Sequence, residues 1–171
     1  TYDSLDRLVG KVNSDTTSEE YAYWADTMNI KTKITKDKWG GSVTDEYNES
    51  GQLQKTVTKY GWYDYTVETT YTYDANGRLI KKEPASGTRE EYEYWGDTSI
   101  VKIKRESNAY SSFTTEYDQS GKKTRWVAQY GAYYSYEERY TYDSSNRLVR
   151  TDRSNGYYVI YTYYGDSTKL V

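Results

Sequence analysis

The chain has 171 residues and a formal net charge of −3, and it carries 24 tyrosines against a single phenylalanine. Because cysteine and histidine are both absent, the sequence excludes disulfides, thiolate metal sites, cysteine nucleophiles and serine–histidine–acid triads. No stretch approaches the ~20 apolar residues of a membrane helix and no basic stripe occurs, so we expect neither membrane insertion nor nucleic-acid binding, and no cofactor. Abundant aromatic residues with nearly balanced charge are typical of a folded chain.

The first element is a short motif that returns twice along the chain. Residues 2–9 read Tyr-Asp-Ser-Leu-Asp-Arg-Leu-Val, and the same pattern occupies 73–80 and 142–149. In the second copy, Asp74 suits the first position of a type I turn and Gly77 suits the left-handed position that follows, which predicts Tyr73 opposite Leu79. Aspartate and asparagine also tolerate that left-handed position in the sister copies. We assign this repeat-structural role to Tyr73, Asp74, Gly77, Arg78, Leu79, Tyr142, Asp143, Arg147 and Leu148.

The second and third motifs follow in the same order within each repeat. The second motif contains two adjacent aromatic residues and occupies residues 21–27, 92–98 and 161–167. Trp24 and Trp95 stand at the same repeat position, so we expect them to belong to the ladder of the fold together with Tyr23 and Tyr94. The third motif, at 47–53 and 117–123, fills the remaining gap before the first motif returns.

These spacings describe one tandem-repeat β domain over residues 1–171. Its triplet units span approximately 1–70, 71–140 and a partial 141–171. Tyrosine and threonine alternate before the turns, as in 69–73, which is typical of a strand with one aromatic face. We therefore predict an all-β fold, an antiparallel meander of about eight hairpins and up to about 16 strands in an extended or spiralling sheet. A closed β-barrel is the alternative way to satisfy the sheet edges.

The Tyr-Asp-x-x-Gly-Arg-Leu signature resembles the YD repeats of the Rhs, wall-associated-protein, Tc-toxin C-subunit and teneurin families. The best matches are 73–79 and 142–148, and 2–8 is close. The copy at 47–53 lacks the arginine, the copy at 117–123 has lost both arginine and leucine, and the tryptophan-bearing motif departs from the pattern. The resemblance implies a non-enzymatic bacterial protein, extracellular or at the cell surface, whose hairpins form a structural scaffold or part of a hollow toxin shell.

The candidate ligand-binding residues are three tryptophans without an exact counterpart in the repeat, together with two neighbouring tyrosines. Their flat, amphipathic rings suit stacking against sugars, so a polysaccharide or a cell-surface glycan is the candidate ligand. Ala132 stands where Trp62 does, which sets that tryptophan apart from the ladder. The candidates, which we expect near the second set of turns, are Trp39, Trp62, Trp126, Tyr60 and Tyr130.

Other chemistry receives little support from the sequence. The acidic pairs at 19–20, 90–91 and 137–138 are adjacent in strands, so the two carboxylates of each pair point to opposite faces and suit pairing with lysine and arginine rather than glycosidase chemistry. The turn aspartates lack the spacing of a calcium loop, and we expect no metal. Three functions stay open: a structural repeat segment that contacts neighbouring repeats, a carbohydrate- or surface-binding module, and an element that self-associates through sheet edges.

Overall fold

The computed structural model describes residues 1–63, 65–165 and 168, and within them the regular structure is entirely β. In the described part of the chain, fourteen strands follow one another in an antiparallel meander, and the meander is open rather than closed. The predicted all-β hairpin fold is confirmed, and the barrel alternative is wrong. The strands are β1 Gly10–Val12, β2 Ser18–Tyr23, β3 Ile30–Lys36, β4 Ser42–Tyr47, β5 Leu53–Tyr60, β6 Tyr65–Tyr73, β7 Leu79–Pro84, β8 Arg89–Tyr94, β9 Val101–Ser107, β10 Ser111–Tyr117, β11 Lys123–Tyr130, β12 Tyr134–Tyr142, β13 Leu148–Arg153 and β14 Tyr158–Ile160.

The strands divide between two compact units, Thr1–Gly87 and Thr88–Val171. The first unit holds β1 to β7 and the second holds β8 to β14. The first hairpin of the repeat array is shorter than the sequence predicts. It is reduced to one bridge between Tyr2 and Leu8, and Asp166 and Ser167 of the last motif lie outside the described residues. A single domain over the whole chain remains a prediction.

The motif turns adopt the register that their sequences predict. Tyr73 pairs with Leu79 across a bulge, and Gly77 has the left-handed backbone, with a φ of 77°. The sister copies place Asp6 and Asn146 in the same conformation, at 61° and 67°. The residues of each turn therefore determine the register of their own hairpin, independently of contacts with a neighbouring repeat.

The sheet is thin, with little side-chain burial on either face. Among the described residues, Ala128 is the single buried apolar side chain, and none of the large side chains is fully enclosed. Cross-strand pairs on the two faces, rather than a closed core, therefore carry most of the stabilising side-chain contacts. In β6, one face carries Tyr71 and the anchor Tyr73, and the other carries threonines and Glu68.

Candidate functional site

Alternate turns of a meander lie at the same end of the strands. Each unit therefore has two rows of turns, one at each end of its strands, and the two rows differ in chemistry. The motif side carries the repeated Tyr-Asp and Tyr-Trp turns. The opposite side, which we call the aromatic side, carries the turns at 37–41 and 61–63 in the first unit. In the second unit it carries 108–110, 131–133 and 154–157.

On the motif side, one aspartate closes each YD turn. Asp74 Oδ1 accepts hydrogen bonds from the backbone N–H groups of Asn76 and Arg78, both at 2.9 Å, and its Oδ2 accepts one from Arg78 Nε at 2.7 Å. The Arg78 side chain is the first cause that lowers the pKa of the Asp74 carboxyl, and the backbone donation from Arg78 is the second. Asp3 and Asp143 form the same arrangement with the arginine four residues on.

Side chains of the motif side also reach the neighbouring hairpin. In the first unit, Trp24 Nε1 donates to the carbonyl of Tyr47 at 3.0 Å, and the Tyr73 hydroxyl donates to the carbonyl of Leu53 at 2.9 Å. Arg7 Nη1 donates to two carbonyls of the next turn. These bonds hold successive turns in register.

The second unit repeats this pattern of bonds. Trp95 Nε1 donates to the carbonyl of Tyr117 at 3.0 Å, as Trp24 does at the equivalent position. The Tyr142 hydroxyl donates to the carbonyl of Lys123 at 2.9 Å. Arg147 Nη1 donates to the carbonyl of Gly165 at 2.6 Å. The residues that the sequence assigns to the ladder therefore lie in repeated, bonded positions.

The acidic pairs lie on the two faces of the strands and bind cations. Glu19 lies 3.3 Å from Lys33 Nζ and accepts a hydrogen bond from Tyr21, whereas Glu20 on the other face pairs with Lys36. The Tyr21 hydroxyl is the first cause of the lowered pKa of Glu19 and Lys33 is the second. This arrangement is an ion-pair ladder, and within the described residues no group of three or more acidic side chains is placed to hold a metal.

The second unit contains a similar phenol–carboxylate pair, in which burial contributes more to the pKa shift. Tyr92 donates its hydroxyl proton to Glu90, and Lys104 Nζ lies 3.5 Å from the same carboxylate. Burial is the first cause that raises the pKa of Tyr92, and the bond to Glu90 is the second. The phenol is therefore held in its neutral, hydrogen-bond-donating form.

The aromatic side of the first unit contains a cleft of about 330 Å³ between its two turns. Trp39, Tyr60 and Trp62 line it together, so the structure brings three of the sequence candidates into one place. Tyr63 also lines the cleft, although the sequence did not single it out. Trp62 and Tyr63 are 77% and 75% exposed, and Trp39 is 56% exposed.

A close approach of two backbones shapes the floor of the cleft. A Cβ atom on Gly61 would lie 2.2 Å from the carbonyl oxygen of Trp39, so the turn at 61–63 rests directly on the turn at 37–41. The Tyr60 ring stacks on Tyr65 at 5.9 Å, and the Lys38 ammonium lies 4.6 Å from the centre of the Trp39 ring.

The two other sequence candidates lie in the second unit, in a different setting. Trp126 is half-buried in the middle of β11, not beside a turn, because its ring stacks on Phe113 at 6.0 Å and meets the edge of Tyr136 at 6.1 Å. Tyr130 contacts the same Phe113 at 5.8 Å. These residues pack on the tyrosine face, and the most exposed ring of this unit is Tyr133 at its turn.

The turns and their repeated bonds define a tandem β-hairpin segment. No family model and no curated protein matches the sequence. Among solved structures, the chain is similar to the TcdB2–TccC3 complex, with a TM-score of 0.63 and 17% identity, and to TcdB2–TccC3 with Cdc42, at 0.62 and 17%. It is also similar to the Photorhabdus luminescens Tc holotoxin pore with a variant TccC3, at 0.62 and 18%.

These alignments cover the whole of this chain and 10% of the matched chains. The chain thus spans about a tenth of their length, and at this identity the likeness shows a shared fold. The fold agrees with the YD-type repeat that the sequence resembles.

Proposed function

We propose that this chain is a structural repeat segment of a YD-type shell. The observation that carries the proposal is its superposition, over its full length, on one tenth of a Tc toxin chain. The side-chain bonds from each motif turn to the next support a scaffold role, because they fix the register of successive hairpins without using a single central site. The natural partners of such a segment are neighbouring hairpin repeats of the same protein.

The absence of a catalytic role belongs to the same proposal. The adjacent glutamates in the strands, which are the candidates for hydrolase chemistry, form ion pairs, as Glu19 does with Lys33 and Glu137 does with Arg125. The fold shared with a Tc holotoxin supports an extracellular or cell-surface location as part of this proposal. In the part of the chain that the structure describes, no helix has the length and apolar character to cross a membrane.

The test is to express the whole reading frame that encodes this sequence and to image the product by electron cryomicroscopy. We expect further hairpins to continue the sheet beyond β1 or β14 and to form the wall of a hollow particle. A reading frame that carries no further hairpins would overturn the shell proposal. Sedimentation of the 171-residue chain over a range of concentrations tests the self-association alternative, for which a monomer at every concentration is the refuting result.

A further inference from the structure

The cleft on the aromatic side of the first unit is built for a flat ligand with an apolar surface. Two indole rings and two phenol rings converge on it from two turns that the Gly61 contact locks together. Its volume lies at the lower end of the range for small-molecule sites. Within the described part of the chain, neither a ring nor a cation packs on the Trp62 indole, so that ring offers a free stacking face.

The cleft also provides hydrogen-bonding groups of both kinds. Asp37 Oδ1 is occupied, because it accepts from the backbone N–H groups of Trp39 and Gly41, both at 2.8 Å. Its Oδ2 accepts no hydrogen bond from the described residues and is available to a ligand donor. Lys59 and Tyr60 also line the cleft and can donate to a ligand oxygen.

The charges that line the cleft balance one another. Lys36 is neutralised by Glu20, which leaves one carboxylate, Asp37, and one ammonium, Lys59, among the described lining residues. The Asp37 carboxylate would repel an anionic polymer, and the Lys59 ammonium would repel a cationic ligand. A neutral ligand that carries hydroxyl groups around an apolar ring face matches the donors, acceptors and rings together.

We propose that this cleft, formed by Trp39, Tyr60, Trp62 and Tyr63, binds a pyranose ring of a neutral glycan. One face of the sugar stacks on the Trp62 indole, and its hydroxyls donate hydrogen bonds to Asp37 Oδ2. This binding role goes beyond the structural role, since the scaffold bonds lie on the motif side and this site lies on the opposite side of the same unit.

The second unit supplies a built-in comparison. Its corresponding hairpins carry Tyr110, Ala132 and Tyr133 where the first unit carries Trp39, Trp62 and Tyr63. Tyr110 and Tyr133 are at least as exposed as the tryptophans, yet the second indole is missing. Exposure of tyrosines at a turn is therefore shared by both units, whereas the pair of indoles belongs to the first unit alone.

The test is isothermal titration of the intact chain with cellohexaose, chitohexaose and mannohexaose, and with oligogalacturonate as the acidic comparison. We expect at least one neutral hexaose to bind, and Trp62→Ala and Trp39→Ala each to weaken that binding about tenfold, equivalent to ~1.4 kcal/mol. Tyr133→Ala, which removes a fully exposed ring from the second unit, is the matched control and leaves the affinity unchanged.

Three results would overturn the proposal. The first is that none of the three neutral hexaoses binds at about 10 mM, and the second is that oligogalacturonate alone binds. The third is that Trp62→Ala and Trp39→Ala bind as the parent chain does. Circular dichroism melting of both variants establishes that they fold, and the exposure of Trp62 predicts a melting midpoint close to that of the parent chain.

Discussion

Replacement of Gly61 by alanine tests whether the two turns of the aromatic side depend on their close contact. The new Cβ atom would lie 2.2 Å from the carbonyl oxygen of Trp39, 2.5 Å from the nitrogen of Gly41 and 2.6 Å from the carbonyl carbon of Gly40. All three are backbone atoms, so rotation of a side chain cannot relieve the overlap. The turn at 37–41 has to move away by at least ~1.3 Å to restore an ordinary contact distance of ~3.5 Å.

The expected cost follows from the size of that displacement. Overpacking that shifts the backbone lowers the free energy of unfolding by about 1–3 kcal/mol. Alanine raises it by somewhat less than ~1 kcal/mol, because it reduces the conformational entropy of the unfolded chain. We therefore expect Gly61→Ala to lower the free energy of unfolding by about 2 kcal/mol, measured by urea denaturation with circular dichroism as the probe. Of the five tryptophan indole resonances in a ¹H–¹⁵N spectrum, those of Trp39 and Trp62 are the ones that shift.

The matched control is Gly131→Ala at the equivalent turn of the second unit. There the added Cβ atom meets nothing within 4 Å, but the backbone has a φ of 56°, so the cost is left-handed strain of about 1 kcal/mol. This variant leaves the indole resonances of the first unit in place. A Gly61→Ala variant that unfolds at the same urea concentration as the parent chain, with unmoved indole resonances, would contradict a close contact between the two turns.

Three further changes test the motif side. Tyr73→Phe removes the hydroxyl that bonds to the neighbouring hairpin, and a loss of about 1 kcal/mol in urea denaturation is expected. Trp95→Phe removes the donor to the carbonyl of Tyr117, and the same assay is expected to show a loss of at least ~1 kcal/mol, whereas unchanged stability would contradict the register role. The folded-state pKa of Asp74 lies below its ordinary value of 3.8, so its stabilising contribution is present above that value and is lost as the pH falls through the lowered one. Acid denaturation of Asp74→Asn, compared with the parent chain, is expected to lack that component.

The motif turns were predictable because their determinants are local. Asp74, Gly77 and Arg78 lie within five consecutive residues, and each acts on backbone or side-chain atoms of the same turn. The repeated spacing then implied the strands and the meander order. The register across each bulge followed from turn length alone, as the pairing of Tyr73 with Leu79 shows.

The cleft was only partly predictable, because it is assembled from two turns that are distant in sequence. The lack of repeat counterparts identified Trp39 and Trp62, yet only the contact of Gly61 with the preceding turn shows that they share one cleft. The same criterion selected Trp126, which lies in mid-strand against Phe113. Position within the turn separates these cases. Tyr63 and Tyr133 each lie two residues after a Tyr-Gly step that both units contain, and both side chains are exposed at the turn.

The geometry of the meander explains how one chain can combine a fixed scaffold with a variable surface. Every second turn lies on the motif side. The sequences of neighbouring turns are constrained there, because side chains such as Trp24 and Trp95 donate hydrogen bonds to the next hairpin. The other turns share little beyond a Tyr-Gly step, and their tips carry exposed side chains. Substitution there, as between Trp62 and Ala132, changes the exposed chemistry without breaking a bond between hairpins. In a repeat strip of this kind, the exposed side chains at one end of the strands can therefore vary while the turns at the opposite end preserve the register.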